Sequence, residues 1–233
     1  MNNTLGISIL IPTYNEAEGL GQLLSHLEAI VDKNVVREII VIDGQSIDET
    51  KKIAKQHNVK VLESPKGRAK QMNLGANFAR EELLYFLHAD TFPKKGFEKL
   101  IFEAVAHGYE AGCFRMKFDT RNPFLRFFAY LSRINHSLCR GGDQSLFITK
   151  KGFLRNNGFN ENYFIYEDTE FIRRLYKNLK FKVLPQNVIT SARKYREKGW
   201  VKVQFHFAMI HLKNYLGAKP DALYEYYERN LLR

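Results

Sequence analysis

Ile-Ser-Ile-Leu-Ile-Pro-Thr-Tyr-Asn-Glu, residues 7–16, is the stretch on which the fold turns. Ile7–Ile11 is an apolar, β-branched run that breaks at Pro12 into polar residues. Three further runs follow at Glu38–Ile42, Val59–Leu62 and Leu83–Leu87. Between them lie helical patterns. Leu20, Leu23, Leu24, Leu27 and Ile30 recur at i, i+3, i+4, i+7 and i+10, the stripe of one buried helix face. Ile53 and Ala54 sit in a second helical segment, and Ala69, Met72, Leu74 and Ala76 in a third. Strand alternating with helix at this spacing predicts right-handed βαβ units and a parallel sheet covered on both faces.

The second half is less regular. Ala111–Phe118 and Ser145–Thr149 read as strands, as do Phe181–Leu184 and Val188–Ser191. Phe124–Leu138 reads as a helix rich in Phe and Arg. Asp168–Asn178 reads as a helix with Phe171, Ile172, Leu175, Tyr176 and Leu179 on its apolar face. A long helix is expected from Gly199 to Gly217, with Pro220 beyond it.

In an open α/β sheet, ligands bind beyond the carboxyl ends of the strands. Thr13, Glu16, Asp43, Asp48, Arg68, Lys70, His88 and Asp90 follow the four runs and are expected on one rim. The first run is followed by neither Gly-x-Gly-x-x-Gly nor a phosphate-cradling glycine loop. Phosphates held here need a metal or basic side chains instead. His88 and Asp90, at i and i+2 on a strand, would share a face and could grip one divalent cation. The competing reading has Asp90 capping a turn and His88 filling space. Gly142, Asp143 and Gln144 lie in a loop able to approach sugar hydroxyls closely, or in a simple turn. Glu167 and Asp168 enter a helix, where an acid also serves as an ordinary N-terminal charge.

Together these segments resemble the GT-A-fold glycosyltransferases of family 2, strongly to about residue 95 and again around 141–180. Pro12-Thr13-Tyr14-Asn15-Glu16 matches the segment after the family's first strand. Asp43 matches the acid that reads the nucleotide, and Asp90 the second acid of the family's Asp-x-Asp. Two departures stand out: His88 replaces the first acid, and Asp43-Gly44-Gln45-Ser46-Ile47-Asp48 lacks one acid of the family's Asp-Asp-Gly-Ser-x-Asp. The resemblance implies a GT-A, Rossmann-like, mostly parallel sheet flanked by helices. It implies one domain: a nucleotide half at 1–95, an acceptor half at 96–198 and C-terminal helices at 199–233. It also implies an inverting, hexosyltransferase-type transfer from a nucleoside diphosphate sugar to an acceptor hydroxyl, with Asp168 as general base and Glu167 beside it. Pro12, Thr13, Tyr14, Glu16, Asp43, Arg68, Gln71, Asn73, Asp90, Gly142, Asp143 and Gln144 would bind the nucleotide sugar. Asp90 and His88 would hold Mn²⁺ or Mg²⁺. Gly67–Asn73, His88–Thr91, Gly142–Gln144, Glu167–Asp168 and Ser191–Arg193 resemble, as a set, the small arsenosugar-biosynthesis-type members.

Two other classes compete. A sugar-nucleotide nucleotidyltransferase would need a basic, glycine-rich loop where Pro12–Glu16 stands. A non-catalytic basic module would bind a polyanion or membrane, and Arg126, Arg133 and Arg140 among Phe and Tyr suit that surface. The chain has 233 residues, with 36 Lys and Arg against 25 Asp and Glu, net +11. That surplus favours an anionic partner; nucleic acid is not the expected one. Cys113 and Cys139 form no metal or disulfide framework. With no signal-peptide pattern and no membrane-span run, the expected location is cytoplasmic. Phe124, Phe127, Phe128, Tyr130, Phe205 and Phe207 are expected to pack as core. The alternative is a peripheral enzyme lying on the inner membrane face.

Overall fold

The structure is a computed structural model and describes residues 5–232. Residues 1–4, at the start of the expected nucleotide half, and Arg233 lie outside the described residues. The chain runs β1 (Ile7–Thr13), α1 (Ala17–Ile30), β2 (Val36–Asp43), α2 (Thr50–Gln56), β3 (Lys60–Glu63), α3 (Arg68–Phe78) and β4 (Leu83–Phe86). It continues through β5 (Thr91–Phe92), α4 (Phe97–Ala106), β6 (Ala111–Phe118), α5 (Pro123–Leu131), β7 (Leu146–Thr149) and α6 (Lys150–Arg155). The last elements are α7 (Glu167–Asn178), β8 (Phe181–Thr190), α8 (Arg193–Lys198), α9 (Trp200–Tyr215) and α10 (Pro220–Tyr227).

One eight-stranded sheet has the order β3-β2-β1-β4-β7-β6-β8-β5. The first four strands are parallel; β7 is antiparallel to both β4 and β6, and β6 is parallel to β8. All seven residues of β1 are buried because both sheet faces are covered. Ile7, Ile9 and Ile11 enter one core with Leu20, Leu23, Leu24 and Leu27 of α1. Leu10 enters the other with Met72 and Ala76 of α3. Each such leucine or isoleucine contributes roughly 1.5–3 kcal/mol of burial. A third, smaller core joins Leu125 and Ala129 of α5 to Val203 of α9.

Four expectations are corrected. β4 ends at Phe86, so His88-Ala89-Asp90 lies in a turn closed by Thr91 N–H on the His88 carbonyl (3.1 Å), not on a strand face. Phe124–Leu138 is not one helix. Asn122 caps α5 and Pro123 opens it, but Arg140 takes up the carbonyls of Ser132 and Ile134 and fixes a turn there. The two expected strands at 181–184 and 188–191 are one, β8, with its register slipped opposite Phe114/Arg115. Pro185, which has no N–H, sits in that bulge. The aromatics expected as core are divided: Phe124, Phe128 and Phe207 are partly buried, whereas Phe127, Tyr130 and Phe205 are exposed. The helices α4, α6 and α8 and the short strand β5 had no counterpart in the sequence reading.

Candidate active site

The carboxyl ends of β1 and β2 are stitched together by their loops. Ser46 Oγ accepts from Asn15 N–H (2.9 Å), Asn15 Oδ1 from Ile47 N–H (3.0 Å) and Thr50 Oγ1 from Glu16 N–H (2.9 Å). Asp48 receives the N–H groups of Ala17 and Thr50, so it shapes this loop pair. Asn15 and Gln45 hold positive φ (53° and 67°), a conformation costly for residues other than glycine and common at ligand sites. Asp43 ends β2 fully buried. Its Oδ2 accepts from Ser46 N–H (2.9 Å), while Oδ1 has no hydrogen-bond partner. Pro12 and Thr13 are buried in the last turn of β1. Tyr14 lies outside, with Lys66 Nζ 4.0 Å from its ring centre.

Several of the site residues read from sequence have other partners. Gln71 donates to the Thr13 and Ile42 carbonyls (both 2.7 Å) and so clamps β1 to β2. Asn73 holds the Phe159 backbone, and Gln144 lies buried on Arg140 and the Cys139 carbonyl. These three amides thus also hold the chain around the site together.

What does converge is a charge cluster between β4 and α7. His88 Nε2 is 3.5 Å from Asp168 Oδ2 and its Nδ1 is 3.7 Å from Asp143 Oδ1. Burial and Arg68 act against its charge, yet Asp143 and Asp168 raise its pKa to about 9. The two acids on either side therefore favour the protonated imidazole. Arg68 Nη1 lies 3.1 Å from Glu167 Oε1 and 3.6 Å from Asp168 Oδ2. Gly142 packs directly under His88 and Asp168. Asp90 stands beside this cluster. Its carboxylate receives one bond, from Thr91 Oγ1 at 3.4 Å, and burial and Asp143 raise its pKa.

Glu167 and Asp168 occupy the first turn of α7, where exposed N–H groups favour anions. They differ in access: the Glu167 side chain is 2% exposed and that of Asp168 13%. Burial pushes Glu167 up, Arg68 pulls it down and Asp168 adds to the rise, leaving it at about 7. A carboxyl whose folded pKa is raised from 4.5 to about 7 contributes stability below pH ~4.5 that is lost as pH rises through ~7. The melting temperature of the parent minus that of Glu167→Gln is therefore expected to fall between those values and level off above them. The corresponding change is on the order of 3 kcal/mol. Thermal denaturation across pH 4–8 measures it, and a flat difference curve would disprove it.

Two contributors escaped the sequence reading. Arg193, the first residue of α8, pairs with Glu16 (3.3 Å) and lies within electrostatic reach of Asp90. Its neighbour Ser191 bonds the Asp90 carbonyl through N–H (3.2 Å). Tyr166, at φ 72° just before α7, shares its hydroxyl with His211 Nδ1 of α9 (2.9 Å) and accepts from Arg173 (3.1 Å). The Ser-Ala-Arg run at 191–193 was the one sequence signal for the first; the second had none.

Parallel strands ending in acids, continued by a mixed half that brings a helix N-terminus to the same rim, define a GT-A fold. The chain belongs to glycosyl transferase family 2, whose profile matches residues 8–174. It is 32% identical over 101 residues to glycosyltransferase AglE of Haloferax volcanii, covering 40% of this chain and 33% of AglE. Its fold is similar to TarS of S. aureus in complex with UDP, at TM-score 0.65 and 18% identity, covering 80% of this chain and 60% of that one. It is also similar to mannosyltransferase PcManGT of Pyrobaculum calidifontis in complex with GDP-Man and Mn²⁺. There the TM-score is 0.71 and identity 15%, over 99% of this chain and 69% of that one. The chain thus spans a third of the curated relative it matches and 60% of TarS.

Proposed function

We propose that this protein is an inverting glycosyltransferase that moves a sugar from a nucleoside diphosphate sugar to an acceptor hydroxyl. The observation that carries the reading is the meeting of Asp168, His88, Asp143 and Asp90 at the carboxyl end of β4. Solved structures of the same fold hold UDP, UDP-GlcNAc or GDP-Man. Asp43, with a carboxylate oxygen lacking a partner, suits a donor group of the nucleotide. Glu16 and Thr13 flank it. Asp168 takes the proton from the acceptor hydroxyl as that oxygen attacks the anomeric carbon. Glu167, almost fully buried, fixes Arg68 beside it. His88, carrying a proton between Asp143 and Asp168, holds the base in place. Arg193 and Arg68 bring positive charge to the leaving diphosphate.

Asp90 fits a divalent cation, Mn²⁺ or Mg²⁺, because it is a carboxylate short of partners. Among the described residues no three His, Cys, Asp or Glu form a cage, so of the groups here Asp90 would be the residue to hold such an ion. When bound, such an ion would supply charge to the diphosphate. The motif set at 67–73, 88–91, 142–144, 167–168 and 191–193 supports placement with the arsenosugar-biosynthesis-type members. We infer one transferase domain, with a nucleotide half at 1–95, an acceptor half at 96–198 and C-terminal helices at 199–233.

A panel of nucleotide sugars tests the reading. Slow donor hydrolysis to free sugar, with inverted anomeric configuration by NMR, is expected. Pyrophosphate exchange, or silence across the panel, would overturn it. Asp90→Ala is expected to weaken nucleoside diphosphate binding about tenfold or more, as would chelation in the parent. If calorimetry finds affinity unchanged by both, Arg and Lys side chains alone hold the phosphates.

A further inference from the structure

Two segments flank the small third core and turn apolar side chains outward. Phe127 and Tyr130 of α5 are each 60% exposed, and Ile134 and Leu138 in the turn beyond are 50% and 65% exposed. On α9, Val203 and Ile210 face inward and are buried. The opposite side carries Val201, Phe205, Leu212 and Leu216, spaced at i, i+4, i+11 and i+15 along one face, all exposed. Exposed apolar side chains grouped on two elements of one small core exceed the scatter of single surface hydrophobics.

Charge singles out the same segments. The chain has 25 acidic residues, yet none lies between Asp119 and Asp143 and none between Glu197 and Asp221. Both intervals carry cations: Arg121, Arg126 and Arg133 in the first, Lys202, Lys213 and Lys219 in the second. Arg133 lies over the Tyr130 ring at 4.8 Å, so cation and aromatic sit together. Among the described residues no helix is long and apolar enough to cross a membrane. Apolar faces rimmed by cations, too short to span, match a surface that rests in the headgroup layer.

We propose that α5 with its following turn, together with α9, docks this protein on an anionic bilayer. A second copy of the chain is the rival occupant, but it would bring the cationic side chains of the same two segments together, and like charges oppose that pairing. Anionic lipid supplies the opposite charge and the apolar layer at once. The inference rests on surface chemistry and is independent of the reaction assigned to the cleft.

Co-sedimentation with phosphatidylcholine vesicles, with and without phosphatidylglycerol, tests it. The parent is expected to bind only the anionic vesicles, and more weakly as salt is raised. Phe127→Glu and Phe205→Glu should each lower vesicle partitioning about tenfold or more, through loss of ring burial and of favourable charge. Circular dichroism should show both variants folded, since both side chains are exposed. No binding of the parent at low salt would overturn the proposal. So would binding that both variants retain in full, or a self-association, seen by ultracentrifugation without vesicle binding, that the variants abolish.

Discussion

Asp168→Asn is expected to lower sugar transfer by about 10²–10⁴-fold, the range for loss of a general base, while donor affinity stays within a few-fold. The amide keeps the size of the side chain and its place on α7, but it cannot accept the acceptor's proton. Glu167 is the nearest substitute, and it is poorly placed: its Oε1 faces Arg68 and its Oε2 is buried without a partner. Initial rates with and without acceptor, beside calorimetric donor binding, separate the two effects. Near-full turnover in Asp168→Asn would move the base to Glu167 or Asp143. A large loss of donor affinity would instead make Asp168 a donor ligand.

Gly142→Ala is the second large effect, and it needs one methyl group. A Cβ at 142 would lie 2.5 Å from His88 Cε1 and 2.8 Å from Asp168 Cγ, nearer still to its Oδ2. Those distances are below van der Waals contact, so the imidazole and the carboxylate must move. A displacement of about 1 Å at a reacting group lowers turnover on the order of 10²-fold, and overpacking costs about 1–3 kcal/mol of stability. Gly141→Ala is the control, because a Cβ there meets nothing within 4 Å and its φ of −159° is open to any residue. Rates and melting temperatures of the pair should differ sharply. If both variants behave like the parent, Gly142 is only a turn residue and the Asp168–His88 contact is not essential.

The sequence displayed the parallel half because its signals are local. Runs such as Ile7–Ile11 and Leu83–Leu87 and the leucine stripe of α1 each lie within one element. The rim acids were equally legible, since they directly follow those runs. What stayed hidden depends on residues far apart in the chain. Arg193 meets Glu16 across 177 positions, and Asp143 and Asp168 flank His88 from distant parts of the chain. Gln71, Asn73 and Gln144 looked like ligand contacts because polar residues in loops usually face solvent or substrate. Packing also gave their amides backbone and side-chain partners within the chain. The helix expected at Phe124–Leu138 broke because Arg140, buried and reaching back to two carbonyls, outweighed an apolar pattern that continued past Leu131.

Tyr166 carries a consequence for how the protein comes into being. Its hydroxyl is tied to His211, in a helix made only after nearly all of the cleft has been synthesised. Arg193, too, reaches Glu16 late. A nascent chain emerging from its N-terminus can therefore assemble the parallel half early, while the turn before α7 waits for α9 to dock. A chain cut short before α9 would lack the partner that ties down Tyr166 at the start of α7.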